Sequence, residues 1–324
     1  MRKTRAMPGR LDVEARGPVL VVRLEGGPLG LMGLNMASEL AALVGKVESD
    51  ASVKAVVLTG THPGRFISHA DVRWLQEGGK SIPSVGRSVA SAIARASAVV
   101  RRVPPLAAVA SVTPMDAGMQ LDELHDTFLR MNRCGIIFVA ALNGSALGLG
   151  SELAQACDVR LMADGDFFIG QPEVLLGINP GGGGTQRLPR LVGAHRALMM
   201  MLEGRPVPPA KALEIGLVDE VVPLDELLDR AIALAQYLSL RPRDAIAAIK
   251  RAVYLGGSMS LDEGLHVERT EFIKISPTKT AQSLMVEYLE RTAREGDLPL
   301  YDPAVYEEAL DIGRFPLHSS GSKK

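Results

Sequence analysis

The residues from Ala140 to Arg187, AALNGSALGLGSELAQACDVRLMADGDFFIGQPEVLLGINPGGGGTQR, restrict the fold more than any other part of the chain. They begin within an apolar run, Ile136 to Leu142, that reads as a fully buried strand. After the turn Gly148-Leu149-Gly150, the segment Ser151 to Cys157 has helix-forming composition, with Leu153, Ala156 and Cys157 on one face. A Gly-rich turn opening a helix aims backbone N–H groups outward, where negative charge is favoured. Such a turn can bind phosphate, stabilise an oxyanion, or simply join a strand to a helix.

Charge in this region is sparse. No charged residue stands between Cys134 and Ser151, and then comes Glu152; between Phe167 and Gln186 the only one is Glu173. A carboxylate in apolar and Gly-rich surroundings loses hydration, so its pKa should rise towards the range useful for proton transfer. Two of them in one compact unit suggest an acid/base pair. The plainer alternative puts Glu152 on a wet helix face. Against it, Gly148, Leu149, Gln155 and Ala156 lie at helical contact spacing from Glu152, with no cation among them.

A chain of 324 residues, 47% hydrophobic and 23% charged, can bury one large core with or without an appendage. Its net charge of −1 gives no global field to draw in nucleic acid or an anionic membrane, so an anionic ligand must be held by local groups. Two cysteines, Cys134 and Cys157, cannot make a disulfide framework and suit buried thiols in a reducing compartment. The basic start MRKTRAMPGR has no apolar stretch behind it, and no run reaches the roughly 20 apolar residues of a membrane span. The expectation is a cytoplasmic protein.

Along the chain, residues 1–17 read as a flexible arm. Val19 to Leu24 and Val53 to Thr59 read as strands. Between them, Asn35 is the expected N-cap of a helix whose apolar stripe is Met36, Leu40, Leu43, Val44 and Val47. Val89, Ile93, Ala96, Val99 and Val100 give a second helical face, and Leu121, Leu124, Phe128 and Met131 a third; the stretch between them, Val103 to Met115, is uncharged and broken by prolines. Methionines 199–201 suit an adaptable core. From Asp225 onward the pattern is helical, with a capping box at Ser260-Leu261-Asp262-Glu263, and the tail from His318 reads as disordered. The four glycines 181–184 lack the strand-turn-helix setting of a dinucleotide site. The histidines are scattered, and no metal site is expected.

Ala146-Leu147-Gly148, Gly150-Ser151-Glu152-Leu153-Ala154, Cys157-Asp158, Gly170-Gln171-Pro172-Glu173, Leu176-Gly177, Pro180 and Gly183-Gly184-Thr185-Gln186-Arg187-Leu188 together resemble the enoyl-CoA hydratase/isomerase, or crotonase, family. A weaker resemblance extends from about Val19 to about Phe272. It implies an α/β protein with a crotonase-like ββα superhelix core at 18–205, carrying an insertion at about 75–120. A C-terminal helical region, 206–324, would build trimers or dimers of trimers. The implied ligand is an acyl-CoA thioester, with CoA as part of the substrate and no separate cofactor.

In the family's manner, backbone N–H groups of Ala70 and Leu149 would bind the thioester oxygen, Glu152 would activate water, and Glu173 would deliver a proton to Cα. Ser68, His69, Asp71 and Gly148 would border the substrate. Retention of both glutamates implies an enoyl-CoA hydratase; the alternatives are an isomerase or other crotonase-fold enzyme, or a non-catalytic acyl-CoA-binding paralogue. Asp158 and Arg160 are expected to serve structure, and Arg187 to pair with a carboxylate or a backbone carbonyl. Two departures stand out. His69 occupies a position where glycine is usual, which calls for a loop able to hold it, if need be in the left-handed region. The family's basic residues before Asn35, which approach the CoA phosphates, are replaced by Leu29-Gly30-Leu31-Met32-Gly33-Leu34. The insertion, next to the acyl-binding region, would be a lid, a subunit contact or a loose loop.

Overall fold

The computed structural model describes residues 9–316. The longer strands form a six-stranded sheet: β1 (Arg10–Arg16), β2 (Val19–Glu25), β4 (Ala55–Gly60), β7 (Ile137–Leu142), β9 (Val159–Ala163) and β11 (Glu220–Val222), in that order. All neighbours run parallel except β1 and β2, which form a hairpin. Short strands make two further parallel sheets. One holds β5 (Arg65–Ile67), β8 (Ser145–Leu147) and β10 (Ile169–Gly170); the other pairs β3 (Leu31–Met32) with β6 (His69–Ala70).

The chain advances by repeating one unit. A long strand enters the large sheet, a short strand follows in a small one, and then comes a helix. Thus β2 and β3 lead to α1 (Leu34–Ser49), β4 to β6 lead to α2 (Val72–Ser81), and β7 and β8 lead to α6 (Leu149–Ala156). The last such unit, β9 and β10, leads through a single turn at Glu173–Leu176 to α7 (Gly184–Val192). This is the expected ββα superhelix.

The inner strands of the large sheet, β2, β4, β7 and β9, are covered on both faces, as parallel strands require, so they are mainly apolar rather than alternating, whereas the edge strand β1 is largely exposed. Val22, Leu58, Phe138 and Ala140 point to the side packed by α1, α6 and α5 (Met115–Met131). Val21, Val57, Val139 and Leu161 point to the other, which α10 (Leu227–Leu238) covers with Leu227, Ala231 and Ala235. The region after residue 205 is therefore part of the core as well as a helical appendage, supplying an edge strand and one whole cover. Further helices follow: α8 (Ala194–Glu203) and α9 (Pro209–Glu214) before β11, then α11 (Arg243–Tyr254), α12 (Leu261–Ile275), α13 (Lys279–Glu295) and α14 (Pro303–Ile312). The capping box of α12 forms as expected, the Ser260 hydroxyl and amide meeting Glu263.

Three local expectations fail. Residues 10–16 are not a loose arm: all seven pair with β2, and Leu11 N donates to Glu39 on α1 (2.7 Å). The rest of the expected arm, 1–8, and the tail from His318 lie outside the described residues. Gly33, not Asn35, caps α1, whose apolar stripe is nonetheless buried as expected. In the insertion, α3 (Arg87–Arg101) does not bury its valines; Val89 and Val99 are 51% and 62% exposed. The helix turns its narrow side inward instead. Ser97 is fully buried, and a Cβ on Gly118 of α5 would stand 2.5 Å from its Oγ, so the two helices approach too closely for branched side chains at the contact. Pro104 then opens α4 (Pro104–Ala110), also within the insertion.

Candidate active site

Glu152 sits in the first turn of α6, at the point where the central strand hands over to the helix. The turn exists because Gly148 takes φ 50° and ψ −123°, and a Cβ there would stand 3.1 Å from Glu173 Oε1. Glycine is thus needed twice over, for the backbone and for the neighbouring carboxyl. Glu152 is 2% exposed. Its Oε1 accepts from the N–H groups of Gly182 (2.8 Å) and Gly184 (2.7 Å), so the glycine run serves a side chain of the protein itself. A Cβ on Gly182 would lie 2.6 Å from Glu152 Oε2, which explains a bare backbone there.

The loop that holds Glu152 is itself held. His125 Nε2, on α5, donates to Gly181 O (2.6 Å), and Arg187 Nη1 reaches Gly182 O (3.3 Å) while its Nη2 reaches Asn132 Oδ1 (3.3 Å). Arg187 thus takes a backbone carbonyl, one of the two partners expected of it. Nothing in the sequence pattern marked His125, because its role depends on α5 crossing a loop 56 residues away.

Glu173 opens the turn after β10 and is 9% exposed. Gln171, with its amide nitrogen turned towards that carboxyl, donates to Oε1 (2.8 Å) and Oε2 (3.2 Å), and its oxygen accepts from Gln155 Nε2 (3.0 Å). Gln155 lies on α6 one turn beyond Glu152, so a buried amide pair ties the two carboxylate-bearing elements together. Burial pushes the Glu173 carboxyl up to about 7, and the charge of Glu152 adds to the rise. Burial also raises Glu152, but the two glycine N–H groups pull the other way by stabilising its carboxylate. The two groups sit in different environments and are suited to different protonation states.

Both carboxylates line one cavity of about 520 Å³, together with His69, Ala70, Gly148 and Leu149. Ala70 ends β6, and Leu149 is the first residue of α6, where an amide has no acceptor within its own helix. The structure brings these expected residues together. Ser68 and Asp71 are different. Ser68 Oγ donates to Leu29 O (2.5 Å); Asp71, 2% exposed, caps α2 through Arg73 N (3.0 Å) and pairs with the Arg73 guanidinium (2.6 Å). Neither is among the residues that line the cavity; both fix the loop that carries Ala70. His69 does line it, but among the described residues none other than glycine has positive φ, so the left-handed turn allowed for it does not occur. As part of β6 it is extended, and its Nδ1 donates to Ala70 O (2.7 Å).

Below the site, Asp158 accepts from Phe138 N (2.8 Å), Lys250 Nζ (2.6 Å) and Tyr254 OH (3.2 Å), and Arg160 binds Asp219 (3.0 Å), so both serve structure as expected. Among the described residues, no three or more His, Cys, Asp and Glu gather as metal ligands, and no helix is long and apolar enough to cross a membrane.

Comparison with known proteins agrees with this arrangement. Residues 106–295 match the family model for enoyl-CoA hydratase/isomerase. The short-chain-enoyl-CoA hydratase of Clostridium acetobutylicum is 30% identical over 290 residues, covering 88% of this chain and 96% of that one. The fatty acid oxidation complex subunit alpha of Shewanella amazonensis is 34% identical over 236 residues, 72% of this chain, but the match spans only 28% of that longer protein. Among solved structures, an enoyl-CoA hydratase of Geobacillus kaustophilus superposes with a TM-score of 0.70 at 28% identity, covering 86% of this chain and 93% of that one. One from Bacillus anthracis gives 0.67 at 27%, covering 90% and 98%. With its ββα superhelix and its paired glutamates on one cavity, the chain belongs to the enoyl-CoA hydratase/isomerase family and has the crotonase fold.

Proposed function

We propose that this protein is an enoyl-CoA hydratase, a hydro-lyase that adds water across the trans-2 double bond of an acyl-CoA thioester. The observation that carries the reading is the presence of two buried carboxyls in unlike environments on one cavity. Glu152, with two N–H donors on one oxygen, is fitted to act as the carboxylate that takes a proton from water as it attacks Cβ. Glu173, held up to about 7, is fitted to carry the proton that Cα receives. The atoms balance: hydroxyl joins Cβ, hydrogen joins Cα, the proton Glu152 takes from water equals the one Glu173 gives up and the pair resets by exchange with solvent, and no electrons are gained or lost, so no cofactor beyond the substrate's own CoA is needed. The amides of Ala70 and Leu149 supply the oxyanion donors for the thioester oxygen as it gains charge; loss of one such donor costs roughly 10²–10³ in rate.

The free thiols of Cys134 and Cys157 suit a cytoplasmic setting. Assembly as a trimer or a dimer of trimers gives a place to the exposed apolar residues Ile249, Val253, Leu261 and Phe272 on α11 and α12.

The test is loss of the conjugated-thioester absorbance on adding a trans-2-enoyl-CoA. Glu152→Gln and Glu173→Gln should each lower kcat by roughly 10² or more with the fold retained. Turnover near the parent rate in either variant would remove that residue from the chemistry, and no hydration of any enoyl-CoA would overturn the reading.

A further inference from the structure

Away from the carboxylates, the cavity continues between α2 and α5, the two helices that border the insertion. Its walls there are Val72, Leu75 and Ile82 on one side and Ala117, Leu121 and Leu124 on the other. Among the α2 side chains that line the cavity, the one polar group is the indole N–H of Trp74, which donates to Gln120 Oε1 (2.7 Å), so its hydrogen-bonding capacity is already used. This end of the cavity therefore rewards apolar contact and little else.

The α2 wall is unusual. Gly78 and Gly79 stand side by side within α2, where glycine weakens a helix, yet neither has positive φ, so the backbone does not require them. What they leave is room. A Cβ on Gly78 would stand 3.4 Å from Ala117 Cβ, and one on Gly79 would meet nothing within 4 Å. A methylene occupies about as much space as a water, roughly 30 Å³. The whole space of about 520 Å³ thus exceeds what a four-carbon enoyl group fills.

We propose that the substrate's acyl group is long and apolar, passes the carboxylates and lies between α2 and α5, with Gly78, Gly79 and Ala117 setting how long it can be. This inference rests on the acyl-CoA reading above and names the substrate class within it.

The test is a series of straight-chain trans-2-enoyl-CoAs from four to about twelve carbons. Each buried methylene contributes about fourfold, so kcat/KM should climb by about an order of magnitude per two carbons and then level off. A maximum at four carbons with a decline thereafter would overturn the proposal. Gly79→Leu and, separately, Ala117→Leu place a larger side chain on the lining of this end; each should cut the ten-carbon to four-carbon ratio of kcat/KM at least about tenfold. A ratio unchanged in both folded variants would also overturn it.

A second measurement does not depend on turnover or on the variants: calorimetric Kd values of the parent protein for saturated acyl-CoAs of the same lengths. Affinity that rises with length while no enoyl-CoA is hydrated would uphold the apolar site and sink the hydratase reading alone. Affinity indifferent to length, in a protein that does hydrate enoyl-CoAs, would sink the acyl site alone.

Discussion

At the scale of single residues, the site depends on how two carboxyl groups are kept unlike. A Glu173 that titrates at about 7 must be protonated to give Cα its proton, so kcat/KM should fall as pH rises through about 7. An acid limb should appear where Glu152 takes up a proton. A profile flat from roughly pH 6 to 9 would rule out Glu173 as the acid. The same shift affects stability. Between the ordinary value of 4.5 and about 7 the folded protein holds more protons than the unfolded chain, so stability falls as pH rises through that window. Glu173→Gln removes this penalty. It should therefore raise unfolding free energy by on the order of 1–2 kcal/mol at pH 8, reduced from the full shift because the carboxyl faces an open cavity, and by little near pH 4. Urea titrations at the two pH values measure the difference. Both glutamates were legible in the sequence because isolation among apolar residues and glycines is a one-dimensional property. Gln171 and His125 were not, since each acts on a group that only folding brings near. The loop-holding bonds of Ser68 and Asp71 were not legible either, since sitting beside a site in sequence does not decide which backbone groups a side chain meets.

At the scale of elements, the strand-to-helix handover at α6 concentrates several demands on Gly148. An alanine there would have to adopt φ 50° and crowd Glu173 Oε1 at once. Gly148→Ala should cost about 1–3 kcal/mol of stability and lower kcat at least about tenfold, because relief of the contact moves the acid; a fully active, equally stable variant would contradict this account. Strands and the buried stripe of α1 could be read from the sequence because burial on one or both faces imposes a period on the residues. The packing of α3 could not. Its valines suggested a face, but Ser97 against Gly118 decides the orientation, and close approach through small side chains leaves no hydrophobic pattern. Residues 10–16 were misread because an edge strand with one exposed face carries as many polar residues as a loose arm does.

At the scale of the whole molecule, the exposed apolar residues of α11 and α12, Phe272 at 68% among them, are the expected ground for subunit contact. Light scattering at micromolar concentration should report a trimer or a multiple of it, and a stable monomer would contradict that assembly. The position of α10 has a further consequence, which concerns time. The central strand β7 ends at Leu142, yet the helix that covers its second face closes only at Leu238, about a hundred residues later. At ordinary speeds of synthesis, roughly 5–20 residues per second, a nascent chain carries the bare valines of β2, β4 and β7 for on the order of 5–20 seconds before their cover exists. During that interval the sheet is half a core with nothing to close on, and ribosome-bound chains halted before residue 227 should bind general chaperones that chains halted beyond residue 280 release.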